Sequence, residues 1–276
     1  FPYHLTLRME EIYSQTKEIS FYGKEIKEAF DTYLLVGGYP LSINLYFKNA
    51  SVENSAYYTY LNAILGDLAK VGKRENFFRE IASVIISKKF EPVDWKTIAQ
   101  STSLGSHSTV HNYIDDLTCL FVLYVLYSVK SLDSADLSFR KRRKIYFVDP
   151  FIFHTVNSWC GGSDRPFDYA CKWLENPDNK ARLVESIGIS FLRQKFPLQA
   201  FWRNKGEIDF IGFVDKRPEF HLEIKYQSQI VSEDKKSLKK VKGGVLLSRD
   251  TLHFDKENNI LIVPLAYFLA LGDSEQ

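Results

Sequence analysis

The spacing of apolar residues changes period several times along the chain, and each change predicts an element. Apolar positions within residues 5–30 recur at helical intervals. Another helix-like stretch, Tyr33-Leu34-Leu35-Val36, runs into the turn Gly37-Gly38-Tyr39, and Pro40 is suited to open the next helix. Residues 77–87 predict a helix and 95–101 a shorter one, with a tight turn at Leu104-Gly105-Ser106. A third helix passes through Val110, Tyr113, Ile114, Leu117 and Leu120, capped by Ser106 or Ser108. Two β-rich runs, 121–128 and 144–148, follow it and are separated by a charged loop. Asp149-Pro150-Phe151 leads from the end of the second run into a short helix. The turn-forming stretch 161–166 then marks a junction.

Beyond the junction, Leu183, Ile187, Phe191 and Leu192 set a helix over residues 179–196, with Asp178 as its cap and Pro197 as its stop. Ala200-Phe201-Trp202 begins a strand. Two more strands carry Gly206-Glu207-Ile208-Asp209-Phe210-Ile211 and Leu222-Glu223-Ile224-Lys225, joined by a turn at Asp215, Arg217 and Pro218. Residues 232–242 form a lysine-rich helix. Val245-Leu246-Leu247 and residues 260–264 are short buried strands. The expected fold is therefore multidomain: an all-α region over residues 1–75, a winged helix-turn-helix over 76–160, and an α/β domain with a mixed central sheet over 161–276.

Composition narrows the class. With 276 residues, 45% of them hydrophobic and 15% aromatic, the chain can bury substantial cores and is not disordered. The formal net charge of +2 gives no global field for nucleic acid, so such binding rests on local patches. One is the run Arg140, Lys141, Arg142, Arg143 and Lys144 in the loop between the β-rich runs, suited to phosphates. The other is the start of the third helix, where His107, Ser108, Thr109, His111 and Asn112 would read DNA. Winged helices also serve as spacers or protein-binding modules, and charge runs also occur as plain solvated faces.

Cys119, Cys160 and Cys171 are odd in number and lack CxxC spacing, which argues against a disulfide framework or zinc ribbon and for a reducing, cytoplasmic setting. The apolar run over 117–129 is too short to span a bilayer, so no membrane partner is expected. Phe1-Pro2-Tyr3-His4 does not read as a leader, and the opening reads as the middle of a longer parent chain. His107 and His111 have the i, i+4 spacing of a zinc pair, but no third ligand is evident. The remaining histidines, His4, His154, His221 and His253, pair with no nucleophile.

The chemistry concentrates at Asp209, Glu223 and Lys225. Side chains two apart on a strand share a face, so Glu223 and Lys225 point the same way, and Asp209 on the preceding strand can join them. Carboxylates gathered on one face repel unless neutralised or metal-bound. Mg²⁺ or Mn²⁺ would satisfy them and activate a water for attack on a phosphodiester, with Lys225 orienting it or stabilising charge. Glu207 is a second choice, and Gln227 and Gln229 continue the period. The plainer alternative is a solvated hairpin face with a weak Glu–Lys pair.

Together with Glu185 on the helix before the strands, Asp209, Glu223 and Lys225 resemble the motif of the restriction-endonuclease-like PD-(D/E)xK fold in its Holliday-resolvase-like form. That resemblance implies Glu185, Asp209 and Glu223 as metal ligands and Lys225 as the catalytic lysine. The wording of Gly37-Gly38-Tyr39-Pro40 resembles the lid turn of a prokaryotic, archaeal-type ATPase family of the AAA/STAND class. In that family a helical lid is followed by a winged helix and then a restriction-endonuclease-like domain. The resemblance implies that Gly38 and Pro40 lie near a nucleotide in the parent protein. No G-x-x-x-x-G-K-[ST] occurs in the sequence, so ATP is expected only with an upstream ATPase core or partner, and no ATPase activity is expected from this chain alone.

Two function classes follow. One is a metal-dependent DNA endonuclease module delivered by a winged helix. The other is a non-catalytic DNA- or protein-binding regulatory fragment of the ATPase, with the nuclease fold kept as scaffold.

Overall fold

A computed structural model describes residues 8–193 and 195–272. His4 and the first positions of the 5–30 run lie outside the described residues. The elements in chain order are α1 (Met9–Ile19), a 3₁₀ turn (Ser20–Tyr22), α2 (Gly23–Val36), α3 (Pro40–Asn49), α4 (Asn54–Lys70), α5 (Glu75–Ser87), α6 (Trp95–Gln100), α7 (His107–Cys119), β1 (Leu123–Val129) and β2 (Leu137–Phe147). They continue with α8 (Pro150–Cys160), α9 (Pro166–Leu174), α10 (Pro177–Leu192), β3 (Leu198–Arg203), β4 (Glu207–Val214), β5 (Arg217–Ile224), a 3₁₀ turn (Ser232–Lys235), α11 (Lys236–Lys240), β6 (Gly244–Ser248), β7 (His253–Asp255), β8 (Ile260–Pro264) and α12 (Leu265–Ala270). The amino-terminal part is helical. The eight strands make one mixed sheet in the order β2-β1-β3-β4-β5-β6-β8-β7.

By compactness the chain forms two units. One comprises the described residues up to Asp31, Tyr127–Phe139, and the described residues from Phe191 onward. The other comprises Thr32–Leu126 and Arg140–Ser190. In the first, β3, β4 and β5 run antiparallel, β5, β6 and β8 run parallel, and β7 closes the edge antiparallel to β8. Of these, β6 and β8 are buried throughout, which explains their short apolar runs. The residues of α1 cover β8 and α12, with Ile12 and Ile19 fully buried.

In the second unit, α8 packs against α4, α5 and α9. The turn after α2 forms as expected. Gly37 has φ +65°, and a Cβ there would collide with Asp149 Oδ1 and come within 2.7 Å of Phe151 N. Asp149 secures both sides of that contact: Oδ1 accepts from Phe151 N at 2.7 Å, capping α8, and Oδ2 accepts from Gly38 N at 2.8 Å. The Gly-Gly pair thus fits a helix start into a turn. His154 on the same helix is buried, and its Nε2 lies 2.9 Å from the Leu34 carbonyl, so that nitrogen carries the proton.

Several local expectations need correcting. The cap of α10 is Asn176, whose Oδ1 accepts from Asp178 N at 2.9 Å and Asn179 N at 3.2 Å. Asp178 sits in the first turn. The helix stops at Leu192, ahead of Phe196. The β4–β5 turn is Asp215-Lys216, both left-handed at φ 48° and 63°, as a two-residue hairpin requires. Arg217 and Pro218 are already in β5, where Pro218 stands opposite a register irregularity at Gly212 and Phe213. The basic run does not occupy a loop: Arg140 through Lys144 are strand residues of β2, and the connection is residues 130–136.

Candidate functional site

The hairpin β4–β5 in the first unit brings Asp209, Glu223 and Lys225 together. Ala200 on β3 pairs with Ile211, while Trp202 pairs with Ile208, so Asp209 and Phe210 together face the single residue Phe201. This one-residue bulge re-aims Asp209. On its other side, Asp209 Oδ2 accepts from the Ile224 amide at 2.9 Å. That bond is buried and fixes the carboxylate against β5. Lys225 N donates to Leu247 O at 2.8 Å, holding the end of β5 to β6.

Glu223 and Asp209 are only 4% and 5% exposed, which excludes an ordinary solvated hairpin face. Glu223 Oε1 lies 3.1 Å from Lys225 Nζ, while its Oε2 is buried with no hydrogen-bond partner. Burial raises the Glu223 carboxyl from 4.5 to about 7. Lys225 opposes this rise, while Asp209 and Glu207 add to it. For Lys225, burial pulls down, but the Asp209 and Glu223 carboxylates together hold the ammonium above its ordinary value. Two buried carboxylates thus share this end of the hairpin with one lysine, and burial disfavours the charged form of Glu223. A buried carboxylate oxygen without a partner costs free energy that a cation or proton would recover. Two carboxylates fit Mg²⁺ or Mn²⁺, which takes one or two carboxylates with waters and phosphate oxygens. Among the described residues, no group of three or more His, Cys, Asp or Glu is placed to hold a metal ion.

Glu207 begins β4 and lies 3.7 Å from Arg203 Nε. Gln227 Nε2 donates to Asp234 Oδ2 at 2.7 Å. Glu185 belongs to the second unit, on α10. Its Oε1 accepts from Lys144 Nζ and Tyr146 OH, each at 2.9 Å, and its Oε2 from Arg182 Nη1 at 3.4 Å. Tyr146 as a partner of that carboxylate had no signature in the sequence.

Within the second unit, His107, Ser108, Thr109, His111 and Asn112 all lie in the first half of α7. His107, Ser108 and Asn112 are exposed, and Thr109 and His111 half-buried. His111 Nδ1 lies 3.1 Å from Asp115 and its ring 5.1 Å from that of Trp95. Of the basic run, Arg140, Lys141 and Arg142 are exposed, while Arg143 and Lys144 are buried. Arg143 stacks its guanidinium 4.0 Å from the Trp95 ring centre and pairs its backbone with Val93. Gly38 and Pro40 are placed as described, at the α8 cap and the first residue of α3.

None of the described helices is long and apolar enough to cross a membrane. A family model described as Domain of unknown function (DUF8612) matches residues 27–162, from α2 through α8, and so stops short of the carboxylate cluster. No curated protein and no solved structure matches the chain.

Proposed function

We propose that the first unit carries a divalent-cation-dependent phosphodiesterase centre acting on DNA, with Asp209 and Glu223 as cation ligands and Lys225 as the catalytic cation. The observation that carries this reading is Glu223, a buried carboxylate with one oxygen on Lys225 and the other without a partner, beside a second buried carboxylate. The succession α10, β3, β4, β5, α11, β6 agrees with the restriction-endonuclease-like resemblance. A bound Mg²⁺ or Mn²⁺ would act as Lewis acid and lower the pKa of a water for attack on phosphorus. Asp209 is held in place for this by the Ile224 amide, and Glu223 Oε2, buried without a hydrogen-bond partner, would serve as a cation ligand. Lys225 would neutralise charge growing on the phosphoryl oxygens.

In the same reading, the segment from α5 to β2 is a winged helix in a cytoplasmic protein. The start of α7 meets DNA, and Arg140, Lys141 and Arg142 meet phosphates. The Gly37-Gly38-Tyr39-Pro40 turn belongs to an ATPase lid whose phosphate-binding core comes from elsewhere. A second reading, the nuclease fold kept as scaffold, is favoured by the Lys225–Glu223 ion pair, which occupies one carboxylate oxygen within the chain.

Mn²⁺-dependent cleavage of duplex, single-stranded and branched DNA separates them. Asp209→Asn should lower cleavage by on the order of a hundredfold or more, and a chelator should abolish it. Equal cleavage by the variant sinks the assignment of Asp209. Salt-sensitive DNA binding without cleavage or Mn²⁺ uptake selects the scaffold.

A further inference from the structure

The stretch after the candidate hairpin carries five lysines, and the fold gives three of them distinct partners. Lys235 lies 3.2 Å from Asp255 and Lys236 2.9 Å from Glu233, so both are paired with carboxylates. Lys240 instead reaches the β3–β4 turn, where its Nζ donates to Lys205 O at 2.7 Å and stands 5.8 Å from the Trp202 ring centre. Gly206 permits this approach. Its φ is +150°, and a Cβ there would come within 3.1 Å of both Lys240 Nζ and Ser237 Oγ. Ser237 Oγ accepts from Glu207 N at 3.3 Å, which ties α11 to the first residue of β4.

Lys205 is exposed on that turn, so cations from two separate segments border one point, while Arg203 at the end of β3 is engaged by Glu207. That point is the entrance of the strand that carries Asp209. Leu238 of α11 and Leu246 of β6 share one core cluster, and Leu246 is the register partner of Glu223, so α11 covers the face to which Glu223 belongs. A lysine docked on a neutral carbonyl keeps its full charge for a further partner, and carboxylates close by would repel a polyanion unless cations sat beside them.

We infer that Lys205 and Lys240 form a phosphate-binding rim that seats the backbone of a nucleic-acid strand beside the Asp209 and Glu223 carboxylates. The purpose of that seating rests on the phosphodiesterase reading; the binding itself does not. Both are positioning residues.

The test compares the full chain with Lys205→Glu/Lys240→Glu, with Lys240→Arg, and with a control pair of equal charge change, Lys24→Glu/Lys256→Glu. Affinity for labelled single-stranded and duplex oligonucleotides of about 20 nucleotides is measured in chelator across a salt series, with Mn²⁺ uptake followed separately by calorimetry. The rim variant should bind roughly tenfold more weakly with a salt slope shallower by about two, while Lys240→Arg and the control pair keep the wild-type slope. Mn²⁺ uptake should stay unchanged, and any cleavage should lose KM rather than kcat. A slope equal to that of the control pair overturns the rim. Should the double variant fold poorly, Lys205→Glu alone, on an exposed turn, should reduce the slope by about one, and no change there overturns the rim equally. Mn²⁺ uptake with rim-independent binding removes the rim and keeps the metal centre. Rim-dependent binding without Mn²⁺ uptake does the reverse.

Discussion

Burial decides the protonation of single side chains in this protein. Burial of His154 lowers it from 6.5 to about 4, against the Leu34 carbonyl, which favours the charged form. Between pH 4 and 6.5 the unfolded chain therefore holds more protons at this position than the folded one. The contribution to stability is complete above pH 6.5 and fades as pH falls towards 4, by about 3 kcal/mol in all. His154→Gln should flatten the pH dependence of the urea midpoint between pH 4 and 7; an unaltered slope would remove His154 from acid unfolding. His221 on β5, also lowered to about 4 by burial, should add slope in the same direction, while Glu223, raised from 4.5 to about 7, should oppose it over that window. Asp209, Glu223 and Lys225 were legible at this scale because the strand period places residues on a shared face. What the alternation could not convey is that this face is closed: the burial of Glu223 comes from neighbours distant in the chain. The same holds for Arg143 and Lys144, whose run of five cations reads as solvated until Trp95 and Glu185 are in place.

Among the elements, those with a strong period were readable in advance, and their ends much less so. The helices α5 and α7 lie close to their expected spans because their apolar spacing is long and regular, and the short α6 is marked by Asp94, whose side chain accepts from Thr97 N. The β4–β5 turn was misplaced because Asp215 and Lys216 adopt left-handed backbone without glycine, while Pro218, a usual turn signal, is tolerated inside β5 beside a register shift. The Gly-Gly turn after α2 shows how a short motif is fixed by a partner far along the chain. Gly37→Ala would force a Cβ into the Asp149 cap while holding alanine at positive φ. A loss of roughly 2–4 kcal/mol is expected, read from chemical denaturation, and Gly38→Ala should cost less because its nearest neighbour would be at 3.4 Å. If the two substitutions cost the same, the Asp149 contact is not what selects glycine at position 37.

At the scale of the whole molecule, each compact unit is assembled from non-contiguous segments, a property with no local signature in sequence. The unit holding the candidate site includes α1, with Tyr13 5.9 Å from Phe254 and Lys27 Nζ 2.7 Å from Asp250. Deleting the residues before Asp31 should therefore strip β8 and α12 of cover, with weakened thermal cooperativity and binding of a hydrophobic dye. A truncated chain that melts like the intact one would show that α1 is dispensable to that unit.

The hydrogen bond from Ile224 to Asp209 spans fifteen residues and lies within one hairpin. Hairpins close in about 1–10 μs, whereas parallel pairing such as that of β5 with β6 and β8 must wait for longer loops to close. From this topology the two carboxylates should be drawn together early, while water still surrounds them, and should lose that water as the parallel strands dock. The electrostatic cost of the site falls late in folding, at the step where a bound cation or a proton on Glu223 would speed completion.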